Sequence, residues 1–437
     1  MSDDSSTWTT RRQVLSAAGA AGLFAAALPG FIAAMAADES TGKVAGSGVT
    51  NAPGILDYLT DLRTADQAIG RTWHPDDPAY RADMYQQTLM NLSFAYFAYF
   101  QADPEHPDWA PLWNPVYRDQ PNPDDIYFYA PVRGDLSYRV SGNRGTCRLL
   151  IFSTQTGLSG MVDNPAENGH HVDFDDRALT MGPDGEFEVL FSAERPEGYT
   201  GNWARMDPKA DNMMVRCRMW DWTVERDPQL SIECLSPVPL KARLTPEQIY
   251  GRIREMAKFP GRASNFFLGW QNAVRQHVGF NVFEPARYPG MSKQVYWPAV
   301  FQFNPDEALI IETEMPRAVH YWNIQLNDPY FNALEYVYRL SSLNGATARI
   351  SADGRLRAVI ALEDPGVPNW LDPAGYTEGG IYGRWYDADS TPTPTIRRVP
   401  LARLREHLPR DTPDITPAER ATALRQRVRA AQRRRRW

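Results

Sequence analysis

Cysteine is scarce. The 437 residues hold three, at 147, 217 and 234. That number makes neither a disulfide framework nor a zinc site, and at most one pair can bridge. Lysine is scarce too, five against 41 arginines, and the net charge is -7, which argues against a general nucleic-acid binder. Several motifs are missing: Gly-x-Ser-x-Gly, a phosphate loop, His-Glu-x-x-His, Cys-x-x-Cys and a dinucleotide fingerprint. Serine-hydrolase, zincin, thioredoxin-like and nucleotide-dependent chemistries lose weight accordingly. Beyond residue 36 no stretch is long and apolar enough to cross a bilayer. With 43% hydrophobic and 23% charged residues, the composition is globular, and disorder is not its main theme.

What is present starts with an export pattern. Thr10-Arg11-Arg12-Gln13-Val14-Leu15 precedes an Ala/Gly-rich apolar run to about Ala34, and Ala34-Met35-Ala36 offers a small-x-small cleavage site. The paired arginines resemble a twin-arginine signal peptide. Pro29 and Gly30 interrupt the run, so no stable membrane span is expected after cleavage. The expectation is a signal over residues 1–36, delivery to the periplasm or beyond, and the twin-arginine export machinery as a partner. Residues 37–79 read as a linker and entry segment.

The remainder repeats itself. Asp184-Gly185, Asn202-Trp203, Arg218 to Asp221 and Leu244-Thr245-Pro246 recur as Asp353-Gly354, Asn369-Trp370, Arg384 to Asp387 and Ile415-Thr416-Pro417. Four ordered matches at about 170 residues read as an internal duplication. Each Asp-Gly stands before an alternating apolar strand, where glycine supplies the positive φ of a tight turn. Further strands are expected at 126–130, 136–140, 147–152, 308–312 and 319–326. Short strands with frequent turns predict a mainly β chain with peripheral helices (α+β), as two tandem β-sandwich or jelly-roll-like units. The units span residues 80–244 and 245–415, and a basic helix occupies 416–437. Thr245-Pro246-Glu247-Gln248 and Thr416-Pro417-Ala418-Glu419 are capping boxes with proline at the first helical position. A third helix is expected over 85–100. The arginine-rich end reads as a solvated, fraying terminus.

Asn122-Pro123-Asp124-Asp125-Ile126-Tyr127 resembles the Asn-x-Asp-Thr-x-Tyr signature of the bacterial domain of unknown function 1254, with Asp125 in place of Thr. Tyr321 to Leu326, Asp353-Gly354, Pro365-Gly366 and Asn369-Trp370-Leu371 resemble domain of unknown function 1214 over residues 290–400. The resemblance implies paired β-sandwich proteins and leaves the chemistry open.

Candidate chemistry sits at three places. Asp124 and Tyr127 open a strand near Arg133, where a carboxylate beside a phenol and a guanidinium can move protons. His320 lies on a strand whose alternation puts Trp322 and Ile324 on its face and Tyr321, Asn323 and Gln325 on the other, like a pocket wall. His170, His171, Asp173, Asp175 and Asp176 are the densest ligand-type cluster, read as a solvated acidic loop, with metal binding as the minor alternative. Features kept in both repeats, Arg218 and Arg384 among them, read as scaffold.

The expected function is an exported envelope enzyme, lyase or hydrolase, acting on a small aromatic, terpenoid or sugar-like compound by cofactor-free hydrolysis or elimination. Asp124 or His320 serves as base, Tyr127 as hydrogen-bond donor, and Arg133, Trp297, Trp322 and Asn323 bind substrate, with no metal and no cofactor. The alternative is a non-catalytic envelope protein binding a glycan or hydrophobic ligand.

Overall fold

Asp184-Gly185 and Asp353-Gly354 form tight turns of one design in the computed structural model, which describes residues 53–112, 119–163, 168–288 and 290–434. Gly185 and Gly354 have φ of 86° and 79°, a region where a side chain clashes. Each turn is closed alike, by Gly182 N–H to Glu186 O and Ser351 N–H to Arg355 O. The export signal expected over residues 1–36 lies outside the described residues. Residues Met1–Asp57 and Tyr58–Trp437 separate as two units, and both sandwiches and all three long helices belong to the second.

The turns lead into two sandwiches with the same strand order. The first comprises β1 (Asp125–Pro131), β2 (Tyr138–Asn143), β3 (Leu149–Thr156), β4 (Gly169–Asp175), β5 (Glu186–Ser192), β6 (Asn202–Arg205), β7 (Asn212–Arg218) and β8 (Gln229–Cys234). The second comprises β9 (Gln294–Gln302), β10 (Glu307–Glu314), β11 (Val319–Asn327), β12 (Ser342–Asn344), β13 (Arg355–Ile360), β14 (Trp370–Leu371), β15 (Glu378–Ala388) and β16 (Thr395–Pro400). One sheet of the first runs β1-β7-β3-β4, extended at its β1 edge by the two-residue strand Ala110–Pro111; its counterpart runs β9-β15-β11-β12. The other sheets run β6-β5-β2-β8 and β14-β13-β10-β16. Each strand of the first unit thus has a topological equivalent eight strands later. Asn202 and Asn369 also do the same work: each carboxamide spans two backbone carbonyls, Thr180 and Glu188 in one unit, Arg349 and Arg357 in the other.

Alternation along the strands sorts the layers. Ile126, Phe128, Val215 and Cys217 fill the first sandwich, and Trp297, Trp322, Ile324 and Trp385 fill the second. The opposite faces of β1, β7, β9, β11 and β15 carry polar residues, yet most of these are buried as well. The reason is that the β1-β7-β3-β4 and β9-β15-β11-β12 sheets face one another, with Leu149, Ile151, Tyr321 and Tyr386 packed between them.

Three long helices complete the body. Asp77 caps α1 (Pro78–Tyr96), which continues as a π turn over Phe97–Gln101, so this helix starts earlier than the sequence suggested. Thr245 and Thr416 form the expected capping boxes of α2 (Pro246–Val278) and α3 (Pro417–Arg433). The C-terminal helix corrects the reading of a solvated end. Arg420 stacks on Trp370 and Arg427 on Trp222, while Arg434 donates to Pro123 O (2.9 Å) and Asp124 O (2.8 Å). Every seventh residue faces inward, and the guanidinium planes lie on indole rings. Among the described residues no helix is long and apolar enough to cross a membrane.

Candidate functional site

The polar layer between the facing sheets closes at one level and opens at the next. At the closed level Arg218, 1% exposed, grips Asp125 through Nε and Nη2, both at 2.8 Å, and reaches Gln294 Oε1 of the second sandwich at 2.8 Å through Nη1. Burial opposes this guanidinium's charge, but the Asp125 carboxylate outweighs it and raises its pKa. Asn122 fastens the same level, donating to Asp125 Oδ1 (3.0 Å) and Tyr321 Oη (2.9 Å) and accepting from Asn323 Nδ2 (2.8 Å).

Two residues along each strand, the sheets part around a cavity of about 220 Å³. Arg216 of β7 and its cross-strand neighbour Tyr127 form one wall. Arg384 of β15 and its neighbour Tyr296 form the other. Phe266, Phe267 and Trp270 of α2 close the side. A cleft of about 460 Å³ adjoins it through Ser159 and Phe266. Asp119 and Gln120, both left-handed at φ 58° and 57°, line a further edge. Consecutive non-glycine residues there are strained, as residues at binding sites often are. Gln120 Nε2 is buried and has no hydrogen-bond partner among the described residues.

The two units differ at one decisive point. Asp125 neutralises Arg218 across the β1–β7 ladder. At the matching place across β9–β15, Tyr296 stands beside Arg384. Arg384, 2% exposed, bonds Asn323 Oδ1 (3.2 Å) and Gln325 Oε1 (2.7 Å), both neutral, and its guanidinium sits 5.3 Å from the Tyr296 ring centre. Arg216 has a hydroxyl partner, Ser153 Oγ at 3.2 Å. Among the described residues that line the cavity are three guanidiniums and two carboxylates, Asp119 and Asp125, an excess of one positive charge. His170 also lines the cavity, with its pKa held down to about 4 by burial, by Arg216 and by His171. It adds no charge at neutral pH. Gly290 (φ 79°) makes room for it, because a Cβ there would stand 2.1 Å from His170 Nδ1.

A crystal structure of an uncharacterized protein from Burkholderia cenocepacia is similar at 31% identity and a TM-score of 0.73, covering 79% of this chain and 96% of that one. The chain belongs to that protein's family. The family model described as Protein of unknown function (DUF1214) matches residues 131–222. That stretch is in the first sandwich, not the 290–400 segment expected to carry the likeness. The VPA0106 protein from Vibrio parahaemolyticus is matched over 79% of this chain and 100% of its own, at 12% identity and a TM-score of 0.43. No curated protein matches the chain.

Of the residues in this family member singled out from sequence, Tyr127 lines the cavity, and Asn323 holds Arg384 from behind. Asp124 does not join them. It is 3% exposed and accepts from Tyr321 Oη (2.6 Å), Trp222 Nε1 (2.8 Å) and Asn344 Nδ2 (2.8 Å); burial raises its pKa. A carboxylate so enclosed braces the junction. His320 lies away from the cavity beside Arg148, whose Nε donates to its carbonyl (2.9 Å), and burial lowers its pKa. Trp297 and Trp322 are core residues of the second sandwich. Arg133 is at the surface, paired with Asp135 and Glu105.

The His170–Asp176 segment is not the solvated loop it was read as. It forms β4 and a 3-10 turn, and its acids diverge: Asp173 accepts from Ser292, Asp175 pairs with Arg177 and Lys293, and Asp176 pairs with Arg144. Among the described residues no His, Cys, Asp and Glu group could hold a metal ion. Sequence reasoning missed Arg216, Arg384, Tyr296 and the α2 aromatics. The available signal for the arginines was their place inside otherwise apolar strands, Arg216 and Arg218 at alternate positions of β7 and Arg384 alone in β15.

Proposed function

We propose that this protein captures a small organic acid between its two sandwiches, with Arg384 receiving the carboxylate. One observation carries the reading: Arg384 is buried where its equivalent Arg218 has Asp125, and among the described residues it has no acid. An uncompensated buried guanidinium is costly, and a charge-assisted pair relieves that cost. The excess of one positive charge suits a monoanion, and the apolar wall with few polar groups suits a small organic body.

Capture is favoured over acid–base turnover by the state of the lining groups. Asp125 is committed to Arg218, and burial pushes the Tyr127 phenol far above its usual range. A hydrolytic or eliminating activity would draw on neutral His170, and product formation lost in His170→Ala would favour it. Capture is tested by titration calorimetry of the protein with benzoate and acetate. Arg384→Gln should weaken binding about 10–100-fold, the worth of one charged hydrogen-bonded pair, with little change in Tm. Equal affinity in both proteins would refute the role of Arg384. Export rests on Arg11-Arg12 and the apolar run after it. Arg11→Lys with Arg12→Lys should abolish delivery to the envelope, and unchanged delivery would remove that reading.

A further inference from the structure

We infer that the cavity selects a planar aromatic monocarboxylate, with Phe331 as the residue that determines this choice; the inference rests on the acid-capture reading and narrows it. The aromatic wall is continuous and ends at the charge. Phe331 stacks on Phe267 with ring centres 5.3 Å apart and 18° between planes. Phe267 meets Phe266 edge-on at 4.9 Å, and Phe266 lies 6.4 Å from Trp270. Trp270 meets Tyr288 at 4.7 Å, and Tyr288 meets Tyr296 at 4.8 Å. Arg384 covers Tyr296. All of these side chains line the cavity.

Size agrees with the chemistry. A cavity of about 150 Å³ lined by apolar groups holds benzene. A space of about 220 Å³ lined by Arg384 and Arg216, neither paired with an acid among the described residues, has room for a ring and its carboxylate. Flat rings gain edge-to-face and stacked contacts that a puckered ring of the same volume does not.

Phe331 is held in place against a backbone penalty. Its φ is 76°, a conformation that a bulky residue adopts only where its surroundings hold it there. Asp328 supports that turn: Oδ1 accepts from the N–H groups of Tyr330 and Asn332, both at 2.8 Å, and Oδ2 accepts from Asn332 Nδ2 at 3.0 Å. The braced turn presents the ring to Phe267 and, edge-on, to Tyr382 at 5.1 Å.

The test is calorimetric titration of the full chain with benzoate, cyclohexanecarboxylate and acetate, using wild type, Phe331→Leu, Phe331→Gly and Arg384→Gln. Benzoate should bind wild type about tenfold more tightly than cyclohexanecarboxylate, as one or two aromatic contacts allow. Both Phe331 variants should bring the two ligands to near equality. The glycine variant suits φ of 76° and covers the case in which the leucine variant fails to fold. Wild type binding the two rings equally, or a Phe331→Gly protein that keeps the preference, would overturn the aromatic selection while leaving acid capture standing. If none of the three acids binds wild type, acid capture falls and the selection falls with it.

Discussion

Asp328 shows how a single buried carboxyl can set a pH dependence. Burial, with neighbouring Asp83 adding like charge, raises its pKa to about 7, against hydrogen bonds from Asn332 and Tyr330 that lower it. Tyr376 bonds Asp83, and Tyr80 and Tyr330 complete the surroundings. A carboxyl raised in the fold stabilises it fully below the unfolded pKa, and the contribution is lost as pH rises through the folded value. Wild type should therefore lose on the order of 1–3 kcal/mol between about pH 4 and pH 8. Asp328→Asn should flatten that slope in urea titrations run across the range. An unchanged slope would place the titration elsewhere. None of this was legible in the sequence. Face assignments were legible, since alternation correctly paired Trp322 with Ile324 and opposed them to Asn323 and Gln325. What alternation cannot reveal is that the polar face meets another sheet instead of water.

Elements carried by local chemistry were readable, and those carried by distant contacts were not. Capping boxes and Asp-Gly turns depend on neighbours within three or four residues, and they appear where the sequence put them. The C-terminal helix depends on Trp222 and Trp370, far away in the chain, so its arginines looked solvated. Its docking has a measurable cost. Arg434 is 8% exposed and satisfies the Pro123 and Asp124 carbonyls beside the junction. Arg434→Ala leaves both without that donor and should destabilise the protein by about 1–3 kcal/mol in equilibrium urea unfolding. Arg429→Ala, on the exposed side of the same helix, should stay within about 0.5 kcal/mol. Similar losses for the two would mean that the helix is held by something other than its inward seam.

On the scale of the whole molecule, two sandwiches of one topology present equivalent arginines to a shared layer, and only one arginine has its acid among the described residues. Shared features were read as scaffold because both units carry them. Asn202, Asn369 and the Asp125-paired Arg218 do serve the scaffold, whereas Arg384 shares the residue but not the partner, and the capture proposal turns on that difference. Supplying the missing acid should convert the second arginine into a copy of the first. Tyr296→Asp places a carboxylate across the ladder from Arg384, as Asp125 stands across from Arg218. Benzoate affinity should then fall at least about tenfold, as a lost charged pair requires, while Tm holds or rises because the fold now contains the counter-ion. Tyr296→Asn removes the same ring without adding charge, and should weaken binding by much less. The reverse experiment is Asp125→Asn. It strands Arg218 and should cost about 3–5 kcal/mol of stability. If Tyr296→Asp and Tyr296→Asn weaken benzoate equally, the ring and not the open charge of Arg384 governs the site, and the asymmetry between the two units is not what makes room for a ligand.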